Sequence, residues 1–358
     1  MFDMSPGAAR VIRKIQWLVV LAGYILGGWP KANAELAISR IQHNQQVVAA
    51  VNVRAGLADL PAGTAWAGLS VDLTKALAAA ILQDRTKVKF VLGDRITGPK
   101  KLQHGEVDLY LPVEPLAPTK LIGFGLAASY PFFFNLQKIM VRKDSGFTSA
   151  SQLVHTPIAF QPGYVNEQND EMANEQHLHD YFDRAGWHLM PFPFQEWEEM
   201  ESAFTSGHVK AVSAEETELA RLRVANRADV GDAVILPEII AMAPVSAVVQ
   251  TNDPNWVTLI NATISALIRA EELGITSENL DAGKNSKDPE VLYLLGVTPG
   301  VGTVVGLDDH WAERVIRAVG NYGQAFERDL GTGFGLSIER SLNQDWRHGG
   351  LLYAMPIQ

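Results

Sequence analysis

Residues 107–120 read VDLYLPVEPLAPTK, an alternating apolar strand that runs into Pro112, Pro115 and Pro118 and ends on Lys120. A lysine ammonium in such a place can hold an anionic group as a compact point charge, although the same residue also fits a solvated loop. Farther along, Glu215 heads the acidic run Glu215-Glu216-Thr217-Glu218, and its carboxylate is of the type that moves protons. An acid in the first turn of a helix, favoured by the macrodipole, explains Glu215 equally well. His177 and His179 in EQHLHDYF stand two apart, a spacing that turns them to different sides of a helix and reads as a solvated face rather than a metal site. GVTPGVGTVVG carries glycines at 296, 300, 302 and 306, but Pro299 interrupts it and no suitable strand leads into it, so it reads as a connector. Neither a G-x-S-x-G elbow nor an H-E-x-x-H pair occurs, which removes two common exported hydrolase classes. The absence of cysteine excludes disulfides and thiolate metal sites. No cofactor is expected.

These groups need elements to hold them. Val47–Val53, Val88–Leu92 and Val107–Leu111 read as strands, with a helix over Leu69–Gln83 that places Leu73, Leu77 and Ile81 on one face. Strand and helix in alternation predict a parallel α/β layer, and in such sheets ligands gather beyond the carboxyl ends of the strands. The proline loop at 112–120 follows one of those ends, and proline's fixed φ predicts a stiff, extended shape for it. A second series has strands at Lys138–Arg142, Pro157–Gln161 and Val209–Ser213, with helices over 166–184, from Glu196, and from Glu215. Strands at Val234–Ile240 and Val245–Gln250 come next, then mainly helices, including Pro254–Leu273 with proline at its first position. Two α/β units joined by extended crossings fit this pattern better than one large sheet. With no low-complexity linker between them, a hinge built from strands is expected.

A chain of 358 residues, 47% hydrophobic and 20% charged, is long enough for two domains with sizeable cores. Its start carries an address: Arg10, Arg13 and Lys14 precede an apolar run from Ile15 to about Gly28, and Ala32-Asn33-Ala34 supplies small residues for a peptidase. That run is short of the roughly 20 residues a spanning helix needs, so residues 1–34 are expected to be a signal peptide cleaved after Ala34. Cleavage removes four basic residues and one acid, taking the formal charge from -10 to -13. So negative a surface argues against nucleic acid and anionic membranes as partners.

The carboxyl-terminal third carries a resemblance. VILPEIIAMAPVSAVVQ (234–250), ALIRAEELGITSENLD (266–281), VLYLLGV (291–297), GLDDHWAERVIRAVGNYGQAFERDLG (306–331) and SIERSLNQDWRHGGLLYAMP (337–356) resemble the general L-amino-acid-binding proteins of ABC importers, solute-binding protein family 3. The likeness extends more weakly through 66–82, 102–110 and 204–221. It implies a type II-like periplasmic-binding-protein fold, with two α/β lobes, two crossings near 132–136 and 240–244, and a helical carboxyl-terminal extension. Lobe 1 is then discontinuous, 35–135 with 244–358, and lobe 2 is 136–243. The implied function is capture of a small amino-acid-like solute and its delivery to an inner-membrane ABC permease, by a monomeric periplasmic protein without enzymatic activity.

The resemblance also implies a rewritten ligand site. Relatives hold the ligand carboxylate with an arginine where Lys120 stands, after Thr119, and lysine loses the planar fork. Their glycine and two threonines in the second lobe match Gly163, Tyr164 and Val165; their ammonium-binding aspartate matches Glu215; an aromatic covering the ligand matches Leu57. A hydrogen bond to a charged group is worth roughly 1.5–3 kcal/mol, so losing two weakens binding about a hundredfold to ten-thousandfold. Two alternatives follow from the same scaffold. One is a sensing or scaffolding protein whose cleft is filled by Tyr164 and Leu57; the other is a dehydratase-like enzyme using Glu114 or Glu215 for proton transfer.

Overall fold

The structure is a computed structural model, and it describes residues 36–60, 65–162, 174–231, 233–300, 302 and 306–356. The expected signal peptide, its cleavage after Ala34, and the expected ligand contacts Gly163, Tyr164 and Val165 lie outside the described residues. Among the described residues, no helix is long and apolar enough to cross a membrane.

Strands β1 (Val47–Val51), β2 (Val88–Leu92) and β3 (Leu109–Leu111) pair in parallel with β1 between the others. Strands β5 (Pro157–Phe160), β6 (Met190–Pro193) and β7 (Ala211–Glu215) form a second parallel group with β5 in the middle. Between the groups run β4 (Leu126–Val141) and β9 (Ala241–Gln250), antiparallel to each other. The short β8 (Val234–Ile235) pairs with β4 alone. The two α/β units and their two extended crossings are therefore present, but the contrast with one large sheet is corrected. The hydrogen-bonded order β2-β1-β3-β9-β4-β7-β5-β6 is continuous, because the buried crossing strands pair with each other and with the nearest strand of each unit.

The edge strand β6 was not expected from the sequence. MPFP has two prolines, and Pro191 and Pro193 are tolerated because β6 pairs only with β5 and lies at the sheet's edge. The expected strand over Val234–Ile240 is also shorter than predicted, ending at Ile235 before an irregular stretch that leads into β9.

The helix Leu69–Leu82 buries far more than its predicted stripe, because helices from the carboxyl-terminal region cover its other side. Ala76 and Ala78–Ala80 keep that contact close, and Arg314 of the helix Trp311–Val319 donates to the carbonyls of Ala79 and Ala80 at 3.2 and 3.1 Å. These bonds satisfy carbonyls left open at the helix end. The helix Pro254–Glu272 begins as predicted, with Pro254 in its first turn and Asp253 accepting from the Trp256 N–H at 3.1 Å. The carboxyl-terminal helices thus share the core of the first unit.

The same region also pins a crossing strand. Asn343 accepts from the Phe134 N–H at 2.7 Å and donates to the Phe134 carbonyl at 3.0 Å, while the Tyr322 hydroxyl donates to the Phe132 carbonyl at 2.8 Å. Arg340 holds this corner by pairing with Glu271 at 2.7 Å and lying over the rings of Tyr322 and Phe326.

Candidate functional site

A cavity of about 720 Å³ lies where the parallel strands of both units end. The first unit contributes Val53 and Arg54 after β1, Arg95 after β2, and Glu114–Pro118 after β3. The second contributes Gln161 and Pro162 after β5, Trp197 after β6, and Ala214, Glu215 and Glu218 at the end of β7. Asn135, Gln137 and Ala241–Ala243 of the crossing strands form the floor, joined by His177. The carboxyl-end rule is thus met by the parallel strands of both groups.

Charge crosses the cavity. Arg54 Nη1 of the first unit lies 2.7 Å from Glu218 Oε1 and 4.0 Å from a Glu215 carboxylate oxygen of the second. Burial works against the Arg54 charge, but Glu218 and Glu215 outweigh it and hold the guanidinium firmly protonated. The Arg54 Nε has no hydrogen-bond partner among the described residues. Glu218 also receives Arg221 Nε at 3.0 Å, and the two arginines overcome its burial and keep its carboxyl below the ordinary range. Arg221 in turn lies over the Trp197 ring, 5.5 Å from its centre. Glu215 is shifted the other way: burial raises it, Arg54 opposes that, and Glu114 adds to it. On the opposite wall Arg95 pairs with Glu114 at 3.3 Å.

The floor is held by a short polar relay. Gln137 Nε2 donates to the Ser213 hydroxyl at 3.1 Å, Ser213 donates to the Lys138 carbonyl at 3.0 Å, and His177 Nδ1 donates to Gln137 Oε1 at 2.8 Å. Burial lowers the His177 pKa, against the pull of Asp180 and Glu215, which favours the neutral ring. Asn135 stands two residues earlier on β4 and only 1% exposed, and neither its amide nitrogen nor its carbonyl oxygen has a partner among the described residues.

Of the residues expected to bind, Glu215 lines the cavity. It is the residue before the helix Glu216–Ala225 and makes no side-chain cap. Lys120 and Thr119 do not line the cavity. The expected extended loop ends at Ala117, because Pro118 opens the helix Pro118–Phe124. With Pro118 at the wall, Lys120 lies about 200° further round the helix and is carried away from it. Leu57 is fully buried in the first unit's core, where its carbonyl accepts from the Ser70 N–H at 2.9 Å and seats the helix Leu69–Leu82. It does not line the cavity; its neighbours Val53 and Arg54 do. The solvated reading of His177 is corrected too, since it faces the floor while His179 pairs outward with Glu175 at 3.9 Å.

Arg54, Arg95, Glu218, Asn135 and Gln137 were not expected from the sequence. A signal existed for the first two, because each follows a correctly read parallel strand within a few residues.

No protein-family model matches the chain. The general L-amino acid-binding periplasmic protein AapJ of Rhizobium johnstonii is 34% identical over 305 residues, 85% of this chain and 87% of that protein. The glutamate/glutamine/aspartate/asparagine-binding protein BztA of Rhodobacter capsulatus is 33% identical over 304 residues, 85% of this chain and 87% of that one. A solved ABC transporter periplasmic binding protein from Brucella ovis, with glutathione bound, is 33% identical and superposes with a TM-score of 0.75 over 90% of this chain and 99% of that chain. Likeness of this extent in sequence and in fold bears out the resemblance seen in the carboxyl-terminal third: the chain belongs to the solute-binding proteins of amino-acid ABC transporters.

Proposed function

We propose that this protein captures, on the outer side of the inner membrane, a dipolar solute larger than a single amino acid and hands it to an ABC permease. The observation that carries this reading is the meeting of Arg54 from one unit with Glu215 and Glu218 from the other in one cavity of about 720 Å³. A cavity of that size falls within the roughly 300–1,000 Å³ range that holds drug-sized ligands. A solute carboxylate would take the Arg54 guanidinium and a solute ammonium would take Glu215, so one molecule would bridge both units. That the Brucella ovis relative has glutathione bound supports a peptide-sized solute.

In this reading residues 35–135 with 244–358 form one lobe and 136–243 the other, and they close about β4 and β9. The protein works as an exported monomer after removal of residues 1–34, and it binds rather than transforms its solute. The filled-cleft alternative draws no support, because Leu57 is used in the core.

Calorimetry with glutathione, L-glutamate, L-glutamine and L-leucine tests the proposal. Micromolar-range binding of at least one dipolar member is expected, with a smaller scattering radius at saturation. Failure of every member to bind at millimolar concentration overturns it.

A further inference from the structure

Two carboxamides stand on the same face of β4, two residues apart. Gln137 is oriented from both ends, by Ser213 and by His177. Asn135 is more deeply buried, lines the same cavity, and has neither its donor nor its acceptor engaged among the described residues. Buried polar groups are nearly always paired, and one left unmet is costly to the fold. A hydrophobic residue of similar volume would fill the position without that cost. Its backbone partner Ala243 on β9 has a methyl side chain, so it offers no polar group to the amide.

We infer that Asn135 determines specificity by pairing with an amide group of the solute. The carboxamide offers an N–H and a C=O side by side, and the group that matches both is another amide, from a peptide bond or a side-chain carboxamide. The carboxylate and ammonium ends of a solute are already addressed by Arg54 and Glu215, which leaves the floor to read what joins them. The size of the cavity favours a peptide bond as the source. This inference rests on the proposed capture of a dipolar solute and narrows it to an amide-containing one.

Calorimetry with glutathione, L-glutamine and L-glutamate on the wild type, Asn135→Leu and Asn135→Ala tests it. Wild type should bind an amide-bearing probe at least about tenfold more tightly than glutamate. Both substitutions should weaken that binding about tenfold to a hundredfold while glutamate binding changes less than about threefold. General damage to the cleft would instead lower all probes together. The unliganded melting temperature of Asn135→Leu should stay level or rise, because an unmet amide has been removed. Tighter binding of glutathione than of glutamine identifies the peptide bond as the source, and the reverse order identifies the carboxamide. Amide-probe affinity unchanged in both variants, or glutamate bound as tightly as the amide probes by wild type, overturns the role of Asn135 and leaves solute capture standing. Binding of none of the three by wild type overturns the role of Asn135, and failure of L-leucine as well overturns solute capture too.

Discussion

Lys138–Glu216 and Arg54–Glu218 are ion pairs made with acids two positions apart, at 2.8 and 2.7 Å, yet they sit in opposite situations. Lys138 is on β4 and Glu216 follows β7, two strands that already pair, and both side chains are less than one-tenth exposed. The Arg54–Glu218 pair spans the cavity between units, and its side chains are about two to three times as exposed, at 18% and 15%. Glu218 also keeps a second cation in Arg221, whereas Glu216 has, among the described residues, Lys138 alone as its close ion-pair partner. A buried pair with no substitute partner works as a fixed joint. The cleft pair is exchangeable, because an incoming carboxylate can take Arg54 while Glu218 remains paired.

Breaking the joint should have the largest effect. Lys138→Met leaves Glu216 buried and unpaired, and should cost about 3–5 kcal/mol of stability in urea denaturation; a loss below about 1 kcal/mol would mean the pair is solvated after all. Arg54→Met should do the reverse. Its stability cost should be about 0–1 kcal/mol, while solute affinity measured by calorimetry should fall about tenfold to a hundredfold. Equal affinity of mutant and wild type would remove Arg54 from the site.

The two acids should also respond to pH in opposite directions. The raised pKa of Glu216, with burial its main cause and Lys138 opposing, means the folded state holds its proton longer than the unfolded state. Its contribution is fully present below the unfolded carboxylate value of about 4.3 and is lost as pH rises through the folded value. For Glu218, burial is overcome by the two arginines and the pKa is lowered, so its contribution is present above the unfolded value and is lost as pH falls through the folded one. Melting curves from about pH 3 to about pH 8, a window reaching roughly one unit or more beyond the carboxylate and histidine range on either side, should therefore flatten on opposite sides in Glu216→Gln and Glu218→Gln. Parallel shifts in both variants would refute the contrast. The smallest effect should come from Glu114→Gln, which removes the most open of these pairs; a change within about 0.5 kcal/mol is expected.

The contrast also explains what the sequence made legible. Strands β1, β2 and β5 and the helix Pro254–Glu272 were visible because periodicity and caps are local signals. The extended crossings and the mainly helical carboxyl-terminal part were visible in the same pattern, and the family resemblance placed the crossings near 132–136 and 240–244. The meeting of Arg54 with Glu218 was not, since 164 positions of chain separate them and only the packed sheet brings them together. Strand β6 escaped because prolines usually argue against a strand, and only its place at the edge permits them. Lys120 misled for a geometric reason: aligning it with an arginine fixed its number in the chain, but Pro118 started a helix that turned it away.

Asn343 grips Phe134 on one side of Asn135, and the β7 ladder takes hold at Gln137 on the other. Between these grips the strand is paired, among the described residues, along one edge only, by β9. If the two units swing as proposed, that interval is the fulcrum, and points at a fulcrum travel least. The floor would then meet its solute in much the same geometry before and after the swing, while the Arg54 and Glu215 walls sweep the longer arc. Recognition at the floor could therefore come early, and the arginine and glutamate would act as a latch that decides how long the solute stays.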